Sequence, residues 1–134
     1  MNTTQLTVDT TGRRVTEITD SVLRFADDAA SDGLLLVFVA HATAGVALME
    51  TGSGSEEDLE AALDRVLPRD DRYRHRHGPT GHGADHLLPV LVSPSLVLPV
   101  TGGDVALGTW QRVVLIDTNT ENNERRVLLG LLPG

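Results

Sequence analysis

A short, continuous run of apolar residues most constrains what this chain can fold into. The run covers residues 34–40 and includes Val37, Phe38 and Val39, and β-branched and aromatic residues are enriched in strands. It is far shorter than the roughly 20 apolar residues that span a bilayer. It therefore predicts a buried strand. A chain of 134 residues is long enough to build one core around such a strand without disulfides.

Helical patterns lie early in the chain, and strand patterns lie mostly later. Apolar residues at helical spacing predict an amphipathic helix over residues 13–31 and a second helix from Ser55 to the residue before Pro68. A short third helix is expected over residues 82–92, although Gly83 and Pro89 weaken it. Strands are predicted at 3–9, 34–40, 45–50, 95–100, 105–117 and 125–132. This order favours a single α+β domain, residues 1–134, with a mainly antiparallel sheet.

The strand pattern also predicts an oligomer. The four residues 113–116 are all apolar, so both faces of their strand need to be covered. A small single sheet cannot cover both of its faces and its edges, and we therefore expect a contact between subunits.

Composition excludes several classes of protein. The formal net charge is -8, which argues against a broad nucleic-acid surface. The chain contains no cysteine, so neither disulfides nor thiolate ligands are available. The N-terminal residues lack the pattern of a signal peptide, and no run is long enough for a membrane span. We expect a cytoplasmic protein without a membrane partner.

All of the basic residues other than histidine are arginine. Four of them, Arg69, Arg72, Arg74 and Arg76, lie in one short segment. Coding bias explains an all-arginine composition, but arginine forks also suit phosphate. A local anion site within an acidic protein remains open on these observations.

Five histidines are the first candidates for chemistry: His41, His75, His77, His82 and His86. His82 and His86 are four residues apart, which places both imidazoles on one face if the segment is helical. His75 and His77 share a face if the segment is extended. Imidazole binds divalent metals and moves protons near neutral pH. A solvated loop of histidines and arginines is the alternative that composition leaves open.

Other polar and aromatic residues stand at the ends of predicted strands or in loops. His41 and Glu50 each end a strand, and a carboxylate there could orient an imidazole, act as a base or be an ordinary surface acid. Trp110 is the single tryptophan; it could line a pocket, but its residue type favours the core. Asp117 and Arg125 flank the last loop, where surface salt bridges are the simplest interpretation.

Taken together, these segments resemble the YjbQ-like family, whose members are described as secondary thiamine-phosphate synthases. The resemblance covers nearly the whole chain and rests on these positions: His41-Ala42-Thr43-Ala44-Gly45, Glu50, Asp58, Pro68, Tyr73, His75, His86-Leu87, Pro99, Gly103, Gly108-Thr109-Trp110-Gln111 and Arg125. The chain departs from the family pattern at the following positions: Ala42, Met49, Thr51, Ser93-Pro94, Asp117 and residues 118–124.

The resemblance implies an α+β fold with a curved, barrel-like antiparallel sheet, two principal helices and a homotrimer. It also implies a transferase that joins a pyrimidine diphosphate to a thiazole phosphate and releases pyrophosphate. The substrate would then be a small phosphorylated molecule. The alternative that we consider is a trimeric protein that binds a metal or a small ligand without turnover, and a third is a scaffold whose histidines are structural.

The family motifs assign roles to particular residues. His41, His75 and His86 are expected to be the metal ligands or the acid–base groups, with Glu50 and Arg125 as further catalytic residues. The expected substrate-binding residues are Thr43, Thr109, Trp110, Gln111 and Asp117. Zinc is the metal that we expect, and magnesium if the chemistry is thiamine-phosphate synthesis.

Overall fold

The computed structural model describes residues 1–121 and 123–134, and its strands form two antiparallel sheets. The elements in chain order are β1 (Asn2–Asp9), β2 (Val15–Glu17), α1 (Thr19–Ala29), β3 (Gly33–Val39), β4 (Ala44–Met49), α2 (Ser55–Val66), α3 (His82–Leu91), β5 (Ser95–Thr101), β6 (Asp104–Val105), β7 (Arg112–Asp117) and β8 (Glu124–Pro133). The larger sheet has the order β1-β8-β3-β5-β6, and the smaller sheet has the order β2-β7-β4. The predicted α+β class and its curled antiparallel sheet are confirmed, and the expected short helix accompanies the two principal ones as α3. No described helix is long and apolar enough to cross a membrane.

Strand β3 lies inside the larger sheet, between β8 and β5. Leu35 and Val37 are fully buried in the main core, which also contains Val22 and Ala26 of α1. The alternate residues point to the other side of the sheet, and Leu34 is 48% exposed. The apolar run is therefore a strand, as predicted, but the chain covers only one of its faces.

The uncovered side of the larger sheet continues across three strands. Leu34 lies opposite Leu132 of β8, and Leu36 lies opposite Val97 of β5. Val97 is 59% exposed and Leu132 is 55% exposed. We call this surface the outer apolar face, and it consists of Leu34, Leu36, Phe38, Val97, Leu128 and Leu132.

Both faces of β7 are buried within the chain. Val113 and Leu115 belong to the main core between the two sheets, whereas Val114 and Ile116 pack with Leu63 of α2 and Leu88 of α3 in a second core. The four apolar residues that suggested a subunit contact are thus covered by the chain itself, and that reason for expecting an oligomer is corrected.

Two of the predicted segments each contain two elements in the structure. Residues 15–17 form β2 rather than the first turn of a long helix, because Val15 pairs with Ile116 of β7. Helix α1 begins at Thr19, whose buried hydroxyl accepts a hydrogen bond of 2.9 Å from the amide of Val113. Residues 105–117, which were expected to form a long strand or a pair of strands, belong to a pair, β6 and β7, joined by an exposed turn.

Candidate metal centre

Helix α3 carries two of the histidines on one face. His82 and His86 are one turn apart, and their Nε2 atoms are 2.9 Å from each other. Without an ion, one imidazole must donate a hydrogen bond to the other at this distance. Gly83 and Pro89 do not prevent the helix, which spans His82–Leu91.

Gly83 allows the preceding loop to pack directly on α3. A Cβ atom at position 83 would lie 2.5 Å from Cβ of Tyr73 and 2.8 Å from the carbonyl oxygen of His75. The loop itself is held by two hydrogen bonds: the Tyr73 hydroxyl donates to the Pro68 carbonyl over 2.7 Å, and Arg76 Nε donates to the Tyr73 carbonyl over 2.8 Å. This packing brings His75 to the histidines of α3.

Three histidines from the loop and the helix converge. One ring nitrogen from each of His75, His82 and His86 lies within 4.8 Å of the others. The ring centroids of His75 and His86 are 4.7 Å apart, and those of His75 and His82 are 5.4 Å apart with nearly parallel planes. The buried Nδ1 of His82 has no hydrogen-bond partner among the described residues. Three imidazoles at this spacing can hold a divalent ion after small side-chain rotations.

The surroundings favour the neutral form of two of the imidazoles, His86 and His77, and the neutral form is the one that binds metal. Partial removal from water lowers the pKa of His86, and charge on His82, His75 and His77 would lower it further, against a smaller opposing effect of Asp85. The pKa of His77 is lowered in the same way, by desolvation first and then by His75 and His82.

Asp85 fixes α3 beside the cluster. Its carboxylate is buried and accepts two hydrogen bonds. One comes from Arg69 Nη1, near the start of the loop over residues 67–81, which we call the histidine loop, and the other comes from the Thr118 hydroxyl over 2.6 Å. Because Asp85 precedes His86, these bonds tie the part of the helix that carries the histidines to the loop and to the residue after β7.

His41 lies at another place in the fold. It is half-buried, and its Nε2 accepts a hydrogen bond of 3.1 Å from the backbone amide of Arg126. Burial lowers the pKa of His41, and the charges of Arg125 and Arg126 lower it further. The converging group contains His75 and His86 from the expected ligand set, with His82 as its third member. The i, i+4 spacing of His82 and His86 was the signal in the sequence that pointed to His82.

Thr43, Asp117 and Arg125 form a buried network where β4, β7 and β8 meet. Arg125 Nε donates to Oδ2 of Asp117, and the Thr43 hydroxyl donates to Oδ1 of the same carboxylate over 3.0 Å. The side chains of Arg125 and Asp117 are each only 2% exposed. This ion pair lies in the interior, so the interpretation as a surface salt bridge is wrong.

Residues 108–111 form a tight turn that presents the tryptophan to solvent. The Gln111 amide donates to the Gly108 carbonyl over 3.0 Å, and the Gly108 amide donates to Oε1 of Gln111 over 2.8 Å. Thr109 and Trp110 stand at the tip, where Trp110 is 71% exposed. The expectation that Trp110 fills the core is wrong. Glu50 is likewise exposed, after the end of β4.

The fold and the site together define the class: an antiparallel α+β protein with a histidine cluster between a loop and a helix. The chain belongs to the YjbQ-like UPF0047 family, since the family model described as "UPF0047 protein YjbQ-like" matches residues 4–134. UPF0047 protein Rv2556c of Mycobacterium tuberculosis is 58% identical over 134 residues, which cover 100% of both chains. UPF0047 protein YjbQ of Escherichia coli is 28% identical over 129 residues, or 94% of each chain.

Solved structures share the fold. Hypothetical protein APE1520 of Aeropyrum pernix superposes with a TM-score of 0.89 at 31% identity, covering 100% of both chains. A YbjQ-like protein of unknown function from Sulfolobus solfataricus superposes with a TM-score of 0.91 at 25% identity, covering 99% of this chain and 97% of that one.

These relatives correct the expected activity. They carry the designation UPF0047, and the Sulfolobus protein is described as being of unknown function. None of these descriptions mentions thiamine-phosphate synthesis, so family membership does not support the transferase activity that the resemblance implied. The descriptions give no support to the alternative, a binding protein without turnover, either.

Proposed function

We propose that this protein holds a zinc ion with His75, His82 and His86 and hydrolyses a small phosphorylated substrate there. The observation that carries the proposal is the convergence of three imidazoles, one from a loop and two from a helix, with ring nitrogens within 4.8 Å of one another. Three protein ligands and an open fourth position are typical of catalytic zinc sites, whereas structural sites are closed by four.

The donor set fits zinc better than magnesium. Two nitrogens bound to a tetrahedral zinc ion at 2.0–2.1 Å lie about 3.4 Å apart. The ring nitrogens of the cluster lie within 4.8 Å of one another, and the closest pair, on His82 and His86, is at 2.9 Å, so small side-chain rotations would bring the set to this spacing. Imidazole suits zinc, nickel and copper, while magnesium prefers oxygen ligands in a near-octahedral shell. An ion would also give a role to a cluster whose His82 Nδ1 is buried without a hydrogen-bond partner among the described residues.

The chain's own residues supply the remaining parts of the site. Zinc bound by three histidines lowers the pKa of a bound water to about 7 and polarises an oxygen of the substrate. Asp85 and its partners hold the helix that carries two of the ligands. Arg74 and Arg76 flank His75, and both are exposed, so they can meet the phosphoryl group of an approaching substrate.

The proposal includes a cytoplasmic homotrimer. The outer apolar face supports self-association, because Leu34, Val97 and Leu132 leave a contiguous apolar surface exposed on one chain. Roles for His41, Glu50 and Arg125 in the reaction remain predictions from the family motifs.

Metal analysis tests the ligand set. Protein purified without an affinity tag and loaded with zinc should contain about one equivalent per chain. His75→Ala, His82→Ala and His86→Ala should each lose the ion, and His41→Ala should retain it. Loss of zinc from His41→Ala with retention by His82→Ala would favour the ligand set expected from the sequence.

Turnover is tested separately with p-nitrophenyl phosphate. The zinc-loaded protein should release p-nitrophenol, and chelation or His86→Ala should abolish the release. Fully loaded protein without any turnover would leave the metal site in place but reject phosphate hydrolysis.

A further inference from the structure

We propose that His77 is an exchangeable fourth ligand, which occupies the open coordination position until a substrate or another anion displaces it. This inference rests on the proposed zinc site. The ring centroid of His77 lies 4.2 Å from that of His75 and 4.4 Å from that of His82. Its centroid is 6.1 Å from that of His86, and the group of ring nitrogens within 4.8 Å of one another consists of the other three histidines, so His77 is next to that group but not part of it.

Both neighbours of His77 contact other parts of the site. On one side, the Arg76 side chain is tied to the loop, because its Nε donates a hydrogen bond to the carbonyl of Tyr73. On the other side, Gly78 has a φ of 82°, a backbone conformation that favours glycine, and a Cβ atom there would lie 3.4 Å from the His82 imidazole. These contacts keep His77 beside the cluster, while its side chain is exposed.

The difference between three and four imidazoles changes what the site can do. Four protein ligands close a zinc site, and three leave room for water or substrate. His77 lies outside the group of nitrogens that are already within 4.8 Å of one another, so its exposed side chain must move and lose rotamer freedom to bind, and its bond to the ion is weaker than those of the other three ligands. The closed form then stabilises the bound ion and keeps weak ligands out, while a substrate with several contacts can still open the site.

Linkage makes this proposal quantitative. If the closed form exceeds the open form by about ten to one, closure raises the zinc affinity about tenfold and lowers the apparent affinity of any added fourth ligand by the same factor. Replacing His77 must therefore change the two affinities in opposite directions and by nearly equal factors. A residue that only supports the loop would not produce this matched pair of changes.

The experiment compares His77→Ala with Thr80→Ala, which changes an exposed side chain of the same loop that carries no imidazole and no charge. Zinc affinity is measured by competition with a chromophoric indicator. Azide binding is measured on the cobalt-loaded proteins from their visible absorption. We expect His77→Ala to bind zinc about tenfold more weakly and azide about tenfold more tightly than the wild type, and Thr80→Ala to match the wild type in both affinities. Free imidazole should restore zinc affinity to His77→Ala.

Three results would overturn the inference, and they separate it from the zinc site itself. If His77→Ala matches Thr80→Ala in both affinities, His77 is not a ligand, and the three-histidine site stands. If His77→Ala loses zinc as completely as His86→Ala, His77 is an obligatory ligand and no exchange occurs. If the wild type binds neither metal, the zinc site and the inference fail together.

Discussion

At the scale of single residues, the state of protonation decides whether the cluster can work. Removal from water and the neighbouring imidazoles lower the pKa of His86 below its usual value of 6.5. The same two causes lower the pKa of His77. The folded chain thus holds these imidazoles in the metal-binding form over a wider range of pH than free imidazole.

Zinc affinity should follow this titration. Protons compete with zinc for the ring nitrogen of His86, so affinity should fall as pH drops through the lowered pKa of this ligand. The unfolded chain binds protons at His86 and His77 first, so the metal-free protein should also lose stability as pH falls below 6.5, the ordinary pKa of histidine. Indicator competition and urea unfolding between about pH 5 and pH 8 would show both trends. A zinc affinity and a stability that stay constant over this range would contradict the prediction.

Arg125 should be needed chiefly for stability, because it is buried and paired with Asp117. Removing one partner of a buried ion pair leaves the other charge uncompensated. Arg125→Ala should therefore lower the free energy of unfolding by about 3–5 kcal/mol. The neighbouring Arg126→Ala, which changes an exposed side chain, should change it by about 0.5 kcal/mol or less. Wild-type stability combined with lost turnover would instead support the catalytic role that the family motifs imply.

At the scale of elements, the site depends on how closely the histidine loop packs on α3. Gly83 permits this approach, since any side chain there would meet Tyr73 and the backbone of His75. Alanine at position 83 would have two opposing effects: it would favour the helix, but its Cβ atom would displace the histidine loop.

Gly83→Ala should accordingly weaken zinc binding without unfolding the protein. Alanine gains about 1 kcal/mol in helix propensity over glycine, while displacement of His75 should cost about 10- to 100-fold in metal affinity, as for residues that orient metal ligands. Leu87→Ala, an exposed change on the same helix, is the control and should keep the affinity. Unchanged affinity in Gly83→Ala would mean that His75 is not positioned by this contact.

The same elements show how far the sequence predicts the structure. The spacing of His82 and His86 is local, so α3 and their shared face could be predicted. The strand over residues 15–17 could not, because its pattern also fits a helix and the pairing with β7 that decides it lies about 100 residues away in the chain. The partner of His41 is equally remote, at Arg126. Trp110 was misjudged because its exposure depends on a turn closed by Gln111, and residue type alone suggests burial.

At the scale of the whole molecule, the outer apolar face is an apolar surface that a single chain leaves exposed to water. It lies on β3, β5 and β8, the strands that also form the main core with their other face. Burying this face between copies of the chain is the simplest way to complete the structure.

We expect the protein to be a trimer in solution, held by the outer apolar face. Light scattering after size exclusion should give three times the mass of 14.3 kDa at micromolar concentration. Leu132→Glu should dissociate it, because a charge buried in an apolar contact is strongly unfavourable. Val90→Glu, an equally exposed apolar site on α3, should leave the mass unchanged. A wild-type monomer would exclude this assembly.

Two consecutive residues at the end of β7 join distant parts of this molecule. Asp117 binds Arg125 of β8, and the next residue, Thr118, binds Asp85 of α3. The helix with the histidines therefore cannot detach without straining the contacts that anchor the last strand. In hydrogen exchange, the amides of α3 and β8 should become accessible in a single cooperative opening rather than in two separate ones. The two histidines of α3 would therefore be separated from the rest of the fold only when a large part of the protein unfolds.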